Sequence, residues 1–232
     1  MMKRILTGIL LLSVAVLVLG ACSNDSSKGD TEKENKEDMV ATVDGKGISK
    51  QDFEKELDVM KANYEQQGMP VDQMDEKQKE ELEKSVLDQM INAELLLQTA
   101  EKDGISIEDK EVDAELEKIK GNFEDEKQFE DTLKQNEMTE KELKGQLKKQ
   151  MTVNKYLDSK VGKVEATDEE IQAMYDQYKQ MAQAQEQEPE ELEKIKPQLE
   201  QQVLSGKEDE KISKLVEELR KKNEDKIKIL KA

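Results

Sequence analysis

The only side chain of this sequence that stands out for covalent chemistry is a single thiol. Cys22 is the one cysteine among 232 residues. It follows a long apolar run, residues 5–19, that begins directly after Lys3 and Arg4. A basic start, an apolar stretch and then small residues are typical of a secretory signal that is removed after export. The pattern therefore predicts a signal peptide over residues 1–21 and a processing site at Cys22.

The residues around this thiol, Leu19, Gly20, Ala21 and Cys22, resemble a bacterial lipobox. The resemblance implies that the thiol receives a diacylglyceryl group and that cleavage leaves Cys22 as the lipidated first residue. A retained transmembrane helix is the main alternative, but it needs about 20 apolar residues and this run is short. A secreted protein with a free thiol is the other. Because two acyl chains anchor a protein stably, we expect attachment to the extracytoplasmic face of the cell membrane, in a Gram-positive envelope.

The composition argues against most enzyme chemistry. Histidine and tryptophan are absent, so no Ser–His or Cys–His pair exists and a zinc site would need carboxylates alone. No glycine-rich phosphate-binding loop is present. Asp and Glu are abundant, but a sequence with 40% charged residues at helical spacing most often presents a solvated face. We therefore expect no enzyme, no cofactor and no metal site.

The net charge narrows the class of partner. It is −18 for the whole sequence, and removal of Lys3 and Arg4 with the signal makes it −20. Nucleic acid is excluded as an expected partner, because phosphates are bound by clustered basic residues. An acidic surface instead favours basic or apolar polypeptides.

The elements begin after a polar stretch. Residues 23–38 contain no apolar side chain, so residues 22–38 are predicted to be a lipidated flexible tether. A run of β-branched residues with an Asp44-Gly45 turn then predicts a hairpin over residues 40–48. Ser49 and Asp52 resemble a capping box for a first helix that ends near Gln67.

Helical periodicity covers most of the remaining sequence. A long, central helix is predicted around Leu82 to Ala100, followed by three shorter helices up to Leu157. Capping boxes at Thr139 with Glu142 and at Thr167 with Glu170 begin two of the later helices. Pro197 and Ser205-Gly206 argue against one straight rod, and Pro197 is compatible with either a helix start or a kink. Residues 226–230 alternate like a strand, which needs a partner, so we expect it to pair with residues 40–48.

Several stretches in this order resemble the N-terminal chaperone domain of SurA and PrsA. They are Val43 to Phe53, Leu87 to Leu96, Gly104-Ile105 with residues 112–116, and Thr167 to Ile171 with Tyr175-Asp176. The resemblance covers nearly all of residues 40–230. It implies a mainly α fold over residues 39–232, a multi-helix chaperone domain with a small sheet that joins the N-terminal hairpin and the C-terminal strand.

The sequence departs from this family at one place. Members with a parvulin prolyl isomerase module carry it between the helix at Thr167 and a C-terminal helix, and it brings active-site histidines. Here residues 182–191 are too few to hold such a module, and no histidine is present. The resemblance therefore implies a chaperone without isomerase activity.

Flexible and amphipathic side chains are the candidate contacts for client polypeptides. Methionine repacks against varied apolar partners, and tyrosine adds amphipathic contact area. The candidates are Met60, Tyr64, Met174, Tyr175, Tyr178 and Met181. Filling gaps between helices is the alternative role for each of them.

Two functions from different classes fit these observations. The first is a lipid-anchored, extracytoplasmic foldase or holdase that binds unfolded or newly exported polypeptides as a monomer or weak dimer. The alternative is a structural or scaffolding lipoprotein with one dedicated partner in envelope assembly or sporulation. A further hypothesis is residual prolyl isomerase activity, but we expect no turnover of an X-Pro peptide above background.

Overall fold

The computed structural model describes residues 38–136 and 138–230. The predicted signal peptide, Cys22 and the tether up to residue 37 lie outside these described residues. The described chain forms two compact units. One unit comprises residues 38–156 and 219–230, and the other comprises residues 157–218.

A three-stranded antiparallel sheet lies in the first unit, which we call the sheet unit. Its strands are β1 (Met39–Val43), β2 (Lys46–Ser49) and β3 (Ile227–Ile229), in the order β2-β1-β3. Asp44 and Gly45 form the turn between β1 and β2, both with positive φ, 49° and 86°. A two-residue turn with two positive φ values matches the twist of a hairpin, and the predicted hairpin is confirmed.

The C-terminal strand closes this sheet. In β3, Ile229 lies opposite Ala41 and Ile227 opposite Val43. Beyond the strand ends, the Asp44 N–H donates to the Lys226 carbonyl at 2.9 Å, and the Leu230 N–H donates to the Val40 carbonyl at 2.8 Å. The predicted pairing of residues 226–230 with residues 40–48 is therefore confirmed.

Five helices begin in the sheet unit: α1 (Lys50–Gln66), α2 (Glu76–Lys102), α3 (Asp109–Lys120), α4 (Glu126–Gln135) and α5 (Glu140–Val161). The mainly α fold class is confirmed. The third of the predicted shorter helices, α5, has 22 residues against 27 for α2. Its capping box at Thr139 and Glu142 is as expected, and its apolar spacing continues to Tyr156, which is buried.

The long helix α2 is the centre of the sheet unit, as predicted. It contacts α1 and β1. It buries residues on more than one side, among them Val86, Met90, Ile91 and Leu97. A second apolar cluster packs α3, α4 and α5 together around Leu116 and Phe129. Burial of these side chains, at about 25 cal/mol per Å² of apolar surface, is the main stabilising term.

The second unit contains α6 (Asp168–Ala184) and most of α7 (Leu192–Lys222), and we call it the α6–α7 unit. Ile171 of α6 packs against Ile195, Leu199 and Val203 of α7. The Lys207 ammonium donates to the Glu170 carboxylate at 2.7 Å and to the Glu165 carbonyl at 2.8 Å. These contacts hold the start of α6 against the middle of α7.

Helix α7 continues through Pro197 and through Ser205-Gly206, the positions that argued against one straight rod. Pro197 lies inside the helix, in its second turn, where its ring leaves the Glu193 carbonyl without the usual helical donor. The burial of Ile195 and Leu199 on either side of Pro197 offsets this loss. Gly206 precedes Lys207, whose bonds to Glu165 and Glu170 hold that turn in place.

Candidate functional site

The six candidate contact residues fall into two groups in different units. Met60 and Tyr64 lie four residues apart on α1, and both are half-buried. Met174, Tyr175, Tyr178 and Met181 lie on α6. Each group is therefore a separate candidate surface.

The two tyrosines of α6 have partners within their own unit. Tyr175 and Tyr178 stack with ring centroids 6.1 Å apart, and both pack against the α6–α7 core. The Tyr175 hydroxyl donates to the Glu190 carbonyl at 2.9 Å, and the Tyr178 hydroxyl accepts from the Glu190 N–H at 3.2 Å. Both hydroxyls thus bind the backbone of Glu190, in the connection between α6 and α7.

The methionines of α6 differ in exposure. Met174 is half-buried and packs against the same core as the tyrosines. Met181 is 59% exposed. Of the four α6 candidates, Met181 is the one whose side chain is mostly open to solvent.

A cleft that sequence reasoning missed lies in the sheet unit. It has a volume of about 250 Å³ and lies where the end of α1, the short 3₁₀ turn Val71–Gln73 and the start of α2 meet. Leu57, Val71 and Leu82 form its apolar lining. Each of these three side chains is otherwise buried, so the cleft gives access to the edge of the core.

Charged side chains also line the cleft. Two of them are Lys61 and Lys79, and each forms an ion pair with a neighbouring carboxylate: Lys61 with Asp58 at 3.1 Å and Lys79 with Glu76 at 3.2 Å. The lining of the cleft is therefore mixed: three of its eight side chains are apolar and five are charged.

The carboxylates that line the cleft are Glu65, Asp72 and Glu83. None of them has an ion-pair partner within residues 38–136 and 138–230. Together with Asp58 and Glu76 they outnumber Lys61 and Lys79, so the groups in and next to the cleft carry an excess of negative charge.

One sequence signal could have located this cleft. Gly68, with φ of 76°, and Pro70 end α1, as predicted. Asp75 and Gln78 then form a full capping box that begins α2. One helix that ends in a tight turn and a second that begins within ten residues form a helical hairpin. This connection places α2 against the end of α1.

The sheet unit also holds buried acidic groups. The Glu94 carboxylate is buried, but it pairs with Lys46 at 3.0 Å and accepts a bond from Gln98 at 2.8 Å. Glu56 is 3% exposed, and its Oε1 atom has no hydrogen-bond partner among the residues that the structure describes. Burial raises the pKa of the Glu56 carboxyl, because removal from water disfavours its charged form.

Lys149 of α5 interacts electrostatically with Glu94 and with its partner Lys46. Burial lowers the pKa of Lys149, and the positive charge of Lys46 lowers it further, while Glu94 and Asp52 act in the opposite direction. Glu56, Glu94 and Lys149 affect the stability of the sheet unit, and none of the three lines the cleft.

The described residues contain neither a candidate metal site nor a candidate membrane span. Within them, no three His, Cys, Asp or Glu side chains are arranged to hold a metal ion. No helix among residues 38–136 and 138–230 combines the length and apolar character needed to cross a bilayer.

Comparison with known protein families decides the affiliation of the chain. The model of the family described as the SurA-like N-terminal domain matches residues 1–157. This chain belongs to that family. The match ends next to Tyr156, where the first part of the sheet unit also ends.

Individual relatives of this SurA-like chain are named as foldases. The chain is 27% identical over 190 residues to the foldase protein PrsA of Clostridium botulinum strain 657, type Ba4, and the alignment covers 77% of this chain and 55% of the relative. It is 28% identical over 149 residues to PrsA of Caldanaerobacter subterraneus subsp. tengcongensis, with 62% and 44% covered. The chain thus spans about half the length of these curated relatives. No solved structure matches it.

Proposed function

We propose that this protein is a lipid-anchored, extracytoplasmic chaperone that binds unfolded or newly exported polypeptides and has no isomerase activity. The observation that carries the proposal is the match of residues 1–157 to the SurA-like N-terminal domain, which is the non-catalytic chaperone part of its family. The foldase names of the PrsA relatives support the same function.

The physical character of the chain supports capture by contact. Large apolar side chains are exposed in both units, including Val59 and Met69 in the sheet unit and Met181 in the α6–α7 unit. The net charge of −18 keeps such a surface soluble and attracts basic segments. Capture of an unfolded chain costs conformational entropy, so we expect modest affinity.

The absence of isomerase activity is proposed on the connection between α6 and α7. It comprises residues 185–191, between Ala184 and Leu192, which is too short for a catalytic module. The sequence contains no histidine. Turnover of an X-Pro peptide should therefore stay at the background rate, and catalysed turnover would contradict this part of the proposal.

The lipid anchor is proposed on Cys22 and the lipobox-like residues before it. In cells fed an alkyne-labelled fatty acid, the wild-type chain should take up the label and partition with membranes. The Cys22→Ser variant should do neither. Label on the variant would contradict anchoring at this thiol.

The chaperone activity itself is tested by light scattering of an aggregating client. We expect the full chain to suppress aggregation at stoichiometric amounts, and no suppression would contradict the proposal. Crosslinking in intact cells separates this function from the scaffolding alternative. A chaperone should capture many unrelated exported proteins, whereas a scaffold should give one dominant product.

A further inference from the structure

We propose that the cleft between α1 and α2 receives one apolar side chain of an unfolded client, and that it selects client segments in which this side chain is flanked by Lys or Arg. This inference deepens the proposed function, on which it rests. It assigns a place and a sequence preference to the contact with clients.

The cleft has an apolar part. Leu57, Val71 and Leu82 come from three different elements, and all three line it. Lys61 and Lys79 also line the cleft, and their ammonium groups donate to Asp58 and Glu76. A volume of about 250 Å³ accommodates one aliphatic side chain and leaves the flanking residues of the client at the edge of the cleft.

Negative charge exceeds positive charge around the cleft. Both lysines of the lining are neutralised by neighbours outside it. Glu65, Asp72 and Glu83 have no ion-pair partner among the described residues. Three carboxylates without an ion pair, in the same cleft as Leu57, Val71 and Leu82, complement a segment with one apolar side chain and basic flanks.

The surroundings extend this preference. Met69 is 47% exposed and lies two residues before Val71, in the loop that borders the cleft. Its flexible side chain can repack against different client residues. The net charge of −18 raises the local concentration of basic segments at low ionic strength.

The test compares three fluorescent unfolded peptides by anisotropy with the full chain. The first carries one leucine flanked by lysines, the second the same leucine flanked by glutamates, and the third a serine in place of that leucine with the lysines retained. The lysine-flanked leucine peptide should bind most tightly. Its affinity should fall as salt is added, because the charged groups of the cleft are at least partly exposed to solvent.

A matched pair of triple variants separates the cleft from the overall charge. The cleft variant combines Glu65→Gln, Asp72→Asn and Glu83→Gln. The control combines Glu101→Gln, Glu124→Gln and Asp209→Asn, three exposed residues that do not line the cleft. Both variants change the net charge by the same amount. We expect the cleft variant to weaken binding of the lysine-flanked peptide about five- to tenfold, and the control to weaken it by less than about twofold.

Two results would overturn the inference: equal weakening by both triple variants, or equally tight binding of the glutamate-flanked or the serine peptide. The aggregation assay keeps the two proposals apart. If the wild-type chain suppresses aggregation and the cleft variant binds peptide as well as the control does, the cleft assignment fails and the chaperone function stands. If the wild-type chain suppresses no aggregation, the proposed function fails.

Discussion

Replacement of Arg220 should show how strongly the C-terminal end of the chain is docked on α2. Arg220 lies in the last turns of α7, and its guanidinium reaches two residues of α2. Nη1 donates to the Asn92 Oδ1 atom at 2.9 Å, and Nη2 donates to the Asp88 Oδ1 atom at 2.8 Å. These bonds join positions 128 and 132 residues apart in sequence, directly before β3 closes the sheet.

The loss of stability expected for Arg220→Ala follows from the geometry of its two hydrogen bonds and from the exposure of the side chains. Hydrogen bonds to charged groups contribute about 1.5–3 kcal/mol when buried, and exposed ion pairs contribute about 0.2–1 kcal/mol. Arg220 and Asp88 are 32% and 34% exposed, so we expect about 1–2 kcal/mol for the pair of bonds. For a chain of this size, 1 kcal/mol shifts Tm by about 2–4 °C. Arg220→Ala should therefore lower the Tm of the sheet unit by about 2–8 °C.

The assay is thermal and urea unfolding of a double-mutant cycle with Asp88→Ala. A coupling energy above about 0.5 kcal/mol is expected for groups in direct contact. Arg220→Lys should recover part of the loss, because lysine keeps the charge but not the planar fork. Lys221→Ala, on the exposed neighbouring residue, is the control. If Arg220→Ala and Lys221→Ala have the same effect, or if the cycle shows no coupling, the docking of the C-terminal segment at Arg220 on α2 is refuted.

Three further substitutions test groups within single units. Glu56→Gln should raise Tm at pH 7 and leave it unchanged near pH 4: burial raises the pKa of Glu56, so the native state loses stability as pH rises and this carboxyl ionises. Glu170→Gln should lower Tm at pH 7, because hydrogen bonds from Lys207 and Thr167 lower the pKa of Glu170 from 4.5 to about 2. The stability from Glu170 is present above about pH 4.5, and it is lost as pH falls toward 2. Tyr178→Phe should leave Tm nearly unchanged and speed amide exchange in residues 185–191, since it removes the acceptor of the Glu190 N–H.

Matched controls accompany these substitutions. Glu54→Gln, on an exposed residue of α1, should lack the pH-dependent gain of Glu56→Gln. Glu169→Gln changes an exposed residue of the first turn of α6 and should have a smaller effect than Glu170→Gln. Tyr64→Phe should not alter exchange at residues 185–191. A pH-independent effect of either glutamate substitution, or unchanged exchange in Tyr178→Phe, would contradict the corresponding contact.

Local signals predicted much of the fold because they are short-range. The Asp44-Gly45 turn requires positive φ, and the capping boxes at Thr139 and Thr167 satisfy helix N–H groups within three residues. The pairing of β3 followed from a different argument, that an isolated strand is unstable. These expectations depend on backbone chemistry that neighbouring residues determine.

The remaining features depend on packing that one sequence does not encode locally. Pro197 lowers local helix propensity, yet burial of Ile195 and Leu199 keeps α7 continuous. Tyr175 and Tyr178 have the composition of a contact surface, but their hydroxyls are engaged with Glu190. The residues from Gly68 to Gln78 indicate that α2 returns beside α1, but the cleft itself depends on how three elements pack.

The central claim is that this chain acts by reversible contact with unfolded polypeptides. The most direct measurement is the affinity of the full chain for one client protein in two states, permanently unfolded and native. The account predicts measurable binding of the unfolded state and none of the native state, with release when folding is allowed. Equal affinity for both states, or no binding of the unfolded state, would contradict it.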